Sequence, residues 1–421
     1  MAQQAKHYPA MVFNNVFHLI DRAFLREAYH QTHKSSAPGM DQVTAQQYAE
    51  NLDENLRELH ERLRDNRYVT PPVERVWIEK EDGKKRPIGK PCFEDKMVQR
   101  AVVMILDAMF EPDLHAFSHG FRKGHSQPQA LHELREQCRK QNLPWIVDAA
   151  VSGFFDTLDW SHLRAFMQQR VKDGGILRLI GKWRHAGVLE AGALSYPDKG
   201  TLPGGVVSPI LANVCLHYVR DEWFVKGVQP RMQGRGFVTR FADAFLLGCE
   251  LEADAHRVMD VWPTRFHRFG LTMHPEKTVL RAFQRPPNRA PSARGKGTCD
   301  LLGFTHSGAT ARRGYWVIKR KTVGKRLRRF MSGRWTWCRE NRHAPLQEPY
   351  RALCAKLRGH SHYYGIRGHC KRLEAVCEYP ERAWRYWLSR RSHKGHLNWQ
   401  KFVDSIHRKL PLPKPRIMHH I

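Results

Sequence analysis

The sequence lacks closely spaced cysteines. Its nine cysteines stand singly along 421 residues, and their number is odd. Zinc sites and disulfide frameworks need cysteines at short or regular spacings, so neither is predicted, and a reducing, cytoplasmic location is expected. The chain also lacks an apolar run near the ~20 residues of a membrane span, and no secretory signal is expected at its start. A membrane protein and a secreted disulfide-rich domain are therefore not predicted.

Acidic residues are also scarce. There are 41 Asp and Glu against 70 Lys and Arg, which gives a formal net charge of +29. The imbalance is concentrated in residues 308–421, which hold 28 basic and 6 acidic residues. Repulsion of this size opposes compactness, so a polyanionic partner is expected. The hydrophobic content of 41% is sufficient for folded cores, and a disordered chain is excluded.

In the first quarter of the chain, the residue pattern predicts three helices and one β-hairpin, which lies between the second and third helices. Apolar residues recur at helical spacing in 11–32, 43–65 and 94–110. Between the second and third of these segments, residues 73–79 and 84–88 have the composition of two strands joined by a tight turn. Helices and strands therefore occur in the same region, as in an α+β fold.

The centre of the chain carries a second strand pattern. Residues 145–152 predict a buried strand, and a Gly/Pro loop at 200–209 leads into an apolar helix at 210–218. Two β-prone runs within 237–249 predict a tight hairpin with Asp243 at its tip. Taken alone, Asp243 is more simply explained as an ordinary turn-forming residue.

From about Lys319 the pattern predicts helices in which aromatic residues alternate with Lys and Arg. Most of these rings are expected to pack a small helical core, with base stacking as a minority use. The basic side chains on the outer faces are expected to contact phosphates. The candidate RNA-binding residues are Lys319, Arg320, Lys321, Lys325, Arg326, Arg328, Arg329, Arg334, Arg385, Arg390 and Arg391.

The order of these features resembles the palm of a reverse transcriptase, and the surrounding sequence is similar to the group II intron-encoded reverse transcriptase/maturase family. The resemblance covers roughly residues 25–421. It is carried by the segments 80–91, 94–101, 118–126, 153–156, 200–214, 240–243, 270–278 and 302–306. It implies an α+β right-hand fold. Fingers and palm would occupy 1–307, with an N-terminal helical extension to about residue 70, and an all-α basic thumb or maturase domain would occupy 308–421.

The resemblance also implies a two-metal polymerase site built from three aspartates, whose positions hold Ala150, Asp243 and Ala244 in this sequence. Two metals ~3.5–4 Å apart need several hard oxygen ligands. Asp148 is displaced by ~6.6 Å along its strand from residue 150, and Asp156 is farther away, so neither replaces a lost ligand. Mg²⁺ is expected only if the site is restored or supplied by bound RNA, with Asp243 as a weak ligand at most.

The resemblance further implies nucleotide contacts in the fingers and the palm. These would be made by Lys80, Arg86, Arg122, Phe155 and Pro203. The alternative is that the Lys and Arg residues are ordinary basic residues of the surface and that Phe155 is an ordinary core residue. Pro203 stands where the family usually has Gln, and Phe241 where Tyr is typical. Two origins of the lost aspartates stay open: deliberate inactivation, since both alanines fall on metal positions, and natural decay, which Pro203 and Phe241 favour.

Three functions remain open. The first is an RNA-binding maturase that assists the folding and splicing of a group II intron, with polymerase chemistry lost. The second is an active RNA-directed DNA polymerase for intron mobility, whose natural sequence has Asp at positions 150 and 244. The third is a domesticated nucleic-acid-binding protein in defence or repair. Structured RNA is the expected partner, a DNA target is an additional one, and the oligomeric state is open.

Overall fold

The computed structural model describes residues 1–79, 83, 85–190, 192–196, 204–287, 290, 293–311, 313–392 and 396–420. The α-helices in these ranges are α1 (Ala2–His7), α2 (Arg22–Gln31), α3 (Ala45–Glu50), α4 (Leu52–Arg64), α5 (Phe93–Phe110), α6 (Gln127–Gln141), α7 (Phe154–Thr157), α8 (Trp160–Met167), α9 (Gly174–His185), α10 (Ser208–Leu216), α11 (Glu252–His267), α12 (Gly324–Glu340), α13 (Gln347–Tyr364), α14 (Cys370–Leu388) and α15 (Trp399–Phe402). The strands are β1 (Val73–Glu79), β2 (Lys85–Lys90), β3 (Trp145–Ser152), β4 (Val188–Glu190), β5 (Ala193–Ser195), β6 (Gly236–Phe241), β7 (Ala244–Cys249), β8 (Thr272–Met273), β9 (Val279–Ala282), β10 (Cys299–Leu301), β11 (Phe304–Thr310) and β12 (Trp316–Thr322). Helix and strand therefore mix as the predicted α+β class requires.

The five-stranded sheet is organised around β3. Its strands follow the order β6-β7-β3-β8, and β9 also pairs with β3. Val147, Ala149 and Val151 pack into the main hydrophobic core on one face, while Ile146 packs into a second core on the other. Burial on both faces explains the nearly continuous apolar run, and the predicted strand at 145–152 is confirmed.

A four-stranded sheet holds the predicted N-terminal hairpin. Its order is β2-β1-β4-β5, in which β1 and β2 are antiparallel and β4 runs parallel to β1. The strand predicted at 73–79 is confirmed, and its partner continues to Lys90. Helix α5 follows directly, and most of its residues are buried in the main core.

The N-terminal helices are shorter than predicted. The helix expected over 11–32 is wrong for its first half, because α2 begins at Arg22 after the Asp21 side chain caps the N–H of Phe24. Upstream, the backbone N–H groups of Val16 and Phe17 donate to the carboxylate of Asp173, at 2.6 and 2.9 Å. Residues Phe17–Leu19 form a single 3-10 turn, so a distant acid fixes this stretch outside the α-helix.

A three-stranded sheet, β10-β11-β12, precedes the C-terminal helices. The prediction that the chain becomes helical from Lys319 is wrong, because β12 extends to Thr322 and α12 begins at Gly324. Along β12, Ile318 and Arg320 are buried and Lys319 is exposed, which is the period-two pattern of a strand. Strand β11 also crosses the predicted domain boundary at 307/308.

Helices α12, α13 and α14 enclose two small cores. Trp384 is buried and packs edge to face on Phe402, with ring centroids 5.9 Å apart. Trp335 packs against Trp387 at 5.6 Å. The prediction that these rings form a helical core is confirmed. Among the described residues, no helix combines the length and apolar character needed to cross a bilayer.

Candidate functional site

The hairpin of β6 and β7 presents Asp243 at its turn, as predicted. Phe241 pairs with Ala244, so only Ala242 and Asp243 connect the strands, and Ala244 belongs to β7 rather than to the turn. Ala242 takes a left-handed backbone conformation with φ of 55°. Two-residue hairpins require positive φ in the turn because only that twist matches the flanking strands.

Three contacts hold this turn in place. The Arg240 Nη1 group donates to the carbonyl of Ala242 at 3.1 Å. The backbone of Arg240 donates to the Phe117 carbonyl at 2.8 Å and accepts from the His119 N–H at 2.9 Å. Gly120 lies so close that a Cβ there would stand 2.3 Å from the Ala242 nitrogen, so only glycine fits. The loop before α6 therefore packs against the hairpin turn and holds it in place through backbone hydrogen bonds.

A buried ionic network lies beneath the hairpin. Arg240 donates through Nε to Asp221 Oδ2 at 2.9 Å, and Arg220 donates through Nη1 to Asp221 Oδ1 at 2.6 Å. All three side chains are at most 1% exposed. Burial lowers the pKa of Arg220 to about 10. Sequence reasoning missed Asp221, although the charged run at 220–222 directly after the apolar helix was a usable signal.

The three positions that the resemblance assigns to metal ligands meet at one place. Ala150 on β3 is the cross-strand partner of Ala244 on β7. The N–H of Val151 donates to the carbonyl of Asp243 at 3.3 Å. Directly opposed residues in an antiparallel pair have Cβ atoms ~4.5–5.5 Å apart. The backbone arrangement is thus compact, but two of its three side chains are methyl groups.

The remaining carboxylate is in a mixed environment. Asp243 is half-buried, and burial raises its pKa, which the positive charges of Lys277, Arg86 and Arg240 oppose. Arg86 lies on β2 of the four-stranded sheet and is exposed. Its positive charge acts on Asp243, so the N-terminal hairpin contributes to the electrostatic environment of the β6–β7 turn.

The donor set at this turn does not fit a two-metal centre. Mg²⁺ binds hard oxygens and usually needs at least one or two carboxylates together with substrate phosphates, and two ions need bridging ligands. Among the three assigned positions only Asp243 offers a carboxylate. No step of phosphoryl transfer is therefore assigned to these residues.

Asp148 does not complete the set. It lies opposite Leu246 on β7 and Val279 on β9, two residues before Ala150 on β3. Burial, together with the negative charge of Asp300, raises the pKa of Asp148 to about 7. A carboxyl group that holds its proton to near-neutral pH is a poor ligand for Mg²⁺.

The raised pKa of Asp148 makes a prediction about stability. Because this carboxyl ionises near pH 4 when unfolded and near pH 7 when folded, the folded protein loses stability as pH rises from 4 to 7. Asp148→Asn is expected to flatten this slope and to add up to about 4 kcal/mol to the free energy of unfolding at pH 8. Chemical denaturation at pH 5 and pH 8 measures both effects. Asp156→Asn, at an exposed acid nearby, is the matched control, and equal slopes in the two variants would contradict the prediction.

The structure changes the interpretation of Arg122. Its guanidinium makes a bidentate pair with Glu111, at 2.7–3.1 Å, and donates to the carbonyls of His115 and Ser118 at 2.7 and 2.6 Å. The side chain is 6% exposed. The nucleotide contact predicted for Arg122 is therefore corrected to a structural role in the loop before α6. Phe155 lies on α7, half-buried against the main core, while Lys80 and Pro203 fall outside the described residues.

The predicted RNA-binding residues separate by exposure. Arg320 is 7% exposed, and burial lowers its pKa to about 10, so its assignment to the RNA-facing surface is corrected. It points inward because residues alternate along β12. The exposed members are Lys319, Lys321, Lys325, Arg328, Arg329 and Arg390, and the half-buried ones are Arg326, Arg334, Arg385 and Arg391.

The half-buried arginines pack on the protein itself. Arg334 lies over the Phe330 ring at 4.7 Å, and Arg385 lies over the Trp399 ring at 4.6 Å. Arg391 donates to the Ala344 carbonyl at 2.6 Å. These contacts orient the guanidinium groups and reduce the contribution that each can make to phosphate binding.

Comparison with known proteins agrees with this geometry. The profile described as reverse transcriptase (RNA-dependent DNA polymerase) matches residues 78–306, which is more than half of the chain. The chain therefore belongs to the reverse transcriptase family. Within that family its sequence is similar to the group II intron-encoded reverse transcriptase/maturase branch, because relatives described as a group II intron-encoded protein and an intron maturase match part of the chain.

Three relatives illustrate the similarity. The chain is 31% identical to Protein YkfC of Escherichia coli K12 over 52% of its length and 59% of that protein. It is 35% identical to the group II intron-encoded protein LtrA of Lactococcus lactis over 44% of its length and 30% of that protein. It is 25% identical to nuclear intron maturase 4, mitochondrial, of Arabidopsis thaliana, over 34% and 18%. The chain thus matches only part of the length of each relative.

Proposed function

We propose that this protein binds a structured group II intron RNA and assists its folding and splicing, without polymerising DNA. The observation that carries the proposal is the turn of the β6–β7 hairpin, where Ala150 and Ala244 leave Asp243 as the one carboxylate of three expected. In this proposal the four-stranded and five-stranded sheets are fingers and palm, and α12–α14 belong to the thumb.

Phosphate neutralisation would supply most of the affinity. Six of the eleven predicted RNA-binding residues are exposed, and five of these six lie on β12 or on the first turns of α12. Neutralised phosphates release counterions, so affinity falls steeply with salt. Specificity for one RNA over others would come from recognition of the shape and the unpaired loops of the folded RNA.

Charge removal at this surface should weaken RNA binding and flatten its salt dependence. The variant Lys321→Gln/Lys325→Gln/Arg328→Gln removes three exposed charges, and we expect the slope of log K against log salt to fall by about 2–3. Filter binding from 50 to 300 mM salt measures this. The matched control is Arg26→Gln/Arg57→Gln/Arg139→Gln, three exposed arginines that are each paired with a carboxylate of the protein. Equal losses in both triple variants would indicate nonspecific attraction and would count against an RNA-binding surface here.

A splicing assay tests the proposed function directly. RNA bound in cells is crosslinked and sequenced, and the enriched intron is then spliced in vitro at a Mg²⁺ concentration too low for self-splicing. The protein is expected to raise the fraction spliced, and the triple variant at residues 321, 325 and 328 is expected to raise it less. Enrichment of RNA without intron structure would remove the maturase proposal and favour a role in defence or repair.

An active polymerase with Asp at positions 150 and 244 is the second candidate. One observation favours it: the cross-strand pairing of Ala150 with Ala244 beside Asp243 keeps the backbone geometry that three carboxylates would need. Restoring both residues distinguishes the two candidates, as described in the Discussion.

A further inference from the structure

Three side chains outside the hairpin turn converge on one point. His115 lies in the loop after α5, and His217 and Glu222 come from the π-helical turn His217–Asp221 and the residue that follows it. One ligand atom of each lies within 4.8 Å of the other two. Among the residues that the structure describes, this is the one such group of three His, Cys, Asp or Glu side chains.

The second observation concerns His217. Its side chain is 3% exposed, and its Nδ1 atom is buried without a hydrogen-bond partner. A buried polar atom left unpaired costs ~1–3 kcal/mol, and a ligand bound to Nδ1 would recover that free energy.

The side chains of His115 and Glu222 are already in contact with each other. His115 Nε2 lies 3.0 Å from Glu222 Oε1, and both side chains are about a fifth exposed, so solvent reaches one side of the cluster. The carbonyl of His115 accepts from Arg122, and its ring stacks on Phe117 at 5.0 Å. Because these contacts already hold the His115 side chain in position, it would need to move little to bind a metal ion.

We propose that His115, His217 and Glu222 form a binding site for a transition-metal ion of the Zn²⁺ class. Two imidazole nitrogens and one carboxylate suit Zn²⁺, Co²⁺ or Ni²⁺, whereas Mg²⁺ prefers oxygen ligands. Three protein ligands leave a fourth position for water on the exposed side. The proposal does not depend on RNA binding or on the hairpin turn.

A bound ion would tie two elements together. The loop that carries His115 also pairs with the Arg240 backbone through Phe117 and His119. The helical turn that carries His217 holds Asp221, the acid beneath the hairpin. An ion shared by both segments would therefore stabilise the support of the β6–β7 turn.

Lys226 provides a sharp test of the site. Its ammonium group pairs with Glu222, and its side chain is 75% exposed. It competes with a metal ion for the same carboxylate without contributing a metal ligand itself. Lys226→Ala is therefore expected to tighten Zn²⁺ binding, by about 2–10-fold, whereas removing a ligand should weaken binding by more than ~100-fold, beyond the 10–100-fold effect typical of an outer-shell partner.

The experiment uses the full chain stripped with a chelator and titrated with Zn²⁺ against a competing indicator. Expected results are one ion per chain, lost in His115→Ala and Glu222→Gln and strengthened in Lys226→Ala. The matched control is His256→Ala, which removes a histidine facing Glu252 at 3.9 Å without a third ligand, and which should bind as the parent does. Circular dichroism checks that His115→Ala and Glu222→Gln are folded, and the buried His217 is left intact. Absence of stoichiometric Zn²⁺ binding in the parent, or equal binding in the His115, Glu222 and His256 variants, would overturn the proposal.

Discussion

Primer extension by this protein is expected to equal that of its Asp243→Asn variant, with either Mg²⁺ or Mn²⁺. The reason is the donor set: one half-buried carboxylate beside Ala150 and Ala244 cannot hold two ions ~3.5–4 Å apart. In an active polymerase the loss of such a carboxylate would remove several kcal/mol of transition-state stabilisation, which corresponds to about a thousandfold or more in rate. A parent protein whose extension drops in the Asp243→Asn variant would contradict the expectation.

The restored variant Ala150→Asp/Ala244→Asp gives the complementary result. Three carboxylates would then meet at the turn, so without metal they repel one another and lower the melting temperature, and with Mn²⁺ the melting temperature recovers. The parent is expected to show no such Mn²⁺ effect from this site. Extension by the restored variant would support the active-polymerase candidate and would show that Pro203 and Phe241 are tolerated. Metal-dependent stabilisation without extension would indicate that those two positions have also lost their function.

The local pattern of apolar residues was sufficient to predict the strands that form the candidate site. The run at 145–152 is apolar on both faces, and the two runs of the hairpin flank a turn of only two residues. Such patterns have few alternative structures. The pairing of Ala150 with Ala244 is different in kind, since periodicity carries no information on register between strands 94 residues apart. Only the family resemblance predicted that these two positions meet.

Side-chain orientation that depends on distant partners could not be predicted. From the sequence alone, Arg122 is expected to be an exposed basic residue. The structure shows that its guanidinium is instead bound by Glu111 and by carbonyl groups of its own loop. The exclusion of Val16 and Phe17 from an α-helix depends on Asp173, more than 150 residues away. The cluster of His115 and Glu222 joins residues 107 apart, so no spacing in the sequence could reveal it.

Asp221→Asn is expected to cost about 3–5 kcal/mol of unfolding free energy, the largest effect among single substitutions in the ionic network. Asp221 is wholly buried between Arg220 and Arg240, so its replacement leaves two guanidinium groups in the core without a countercharge. Arg240 would also be less well fixed as the donor to the Ala242 carbonyl, and the hairpin turn would loosen with it. Urea denaturation followed by far-UV circular dichroism measures the loss.

Arg220→Met is the control that separates charge balance from packing. It removes a buried side chain of similar length but leaves Asp221 and Arg240 as a neutral pair, and burial already lowers the pKa of Arg220 to about 10. Replacing a buried charge in this way is often close to neutral, so we expect a loss of at most about 1–2 kcal/mol, part of it from the contact with the Phe245 ring at 4.0 Å. If both variants lost the same stability, the network would act through packing alone. A larger loss in Asp221→Asn means that one buried carboxylate neutralises the arginine that holds the turn, so the hairpin is stabilised from beneath without any contribution from the side chains at positions 150 and 244.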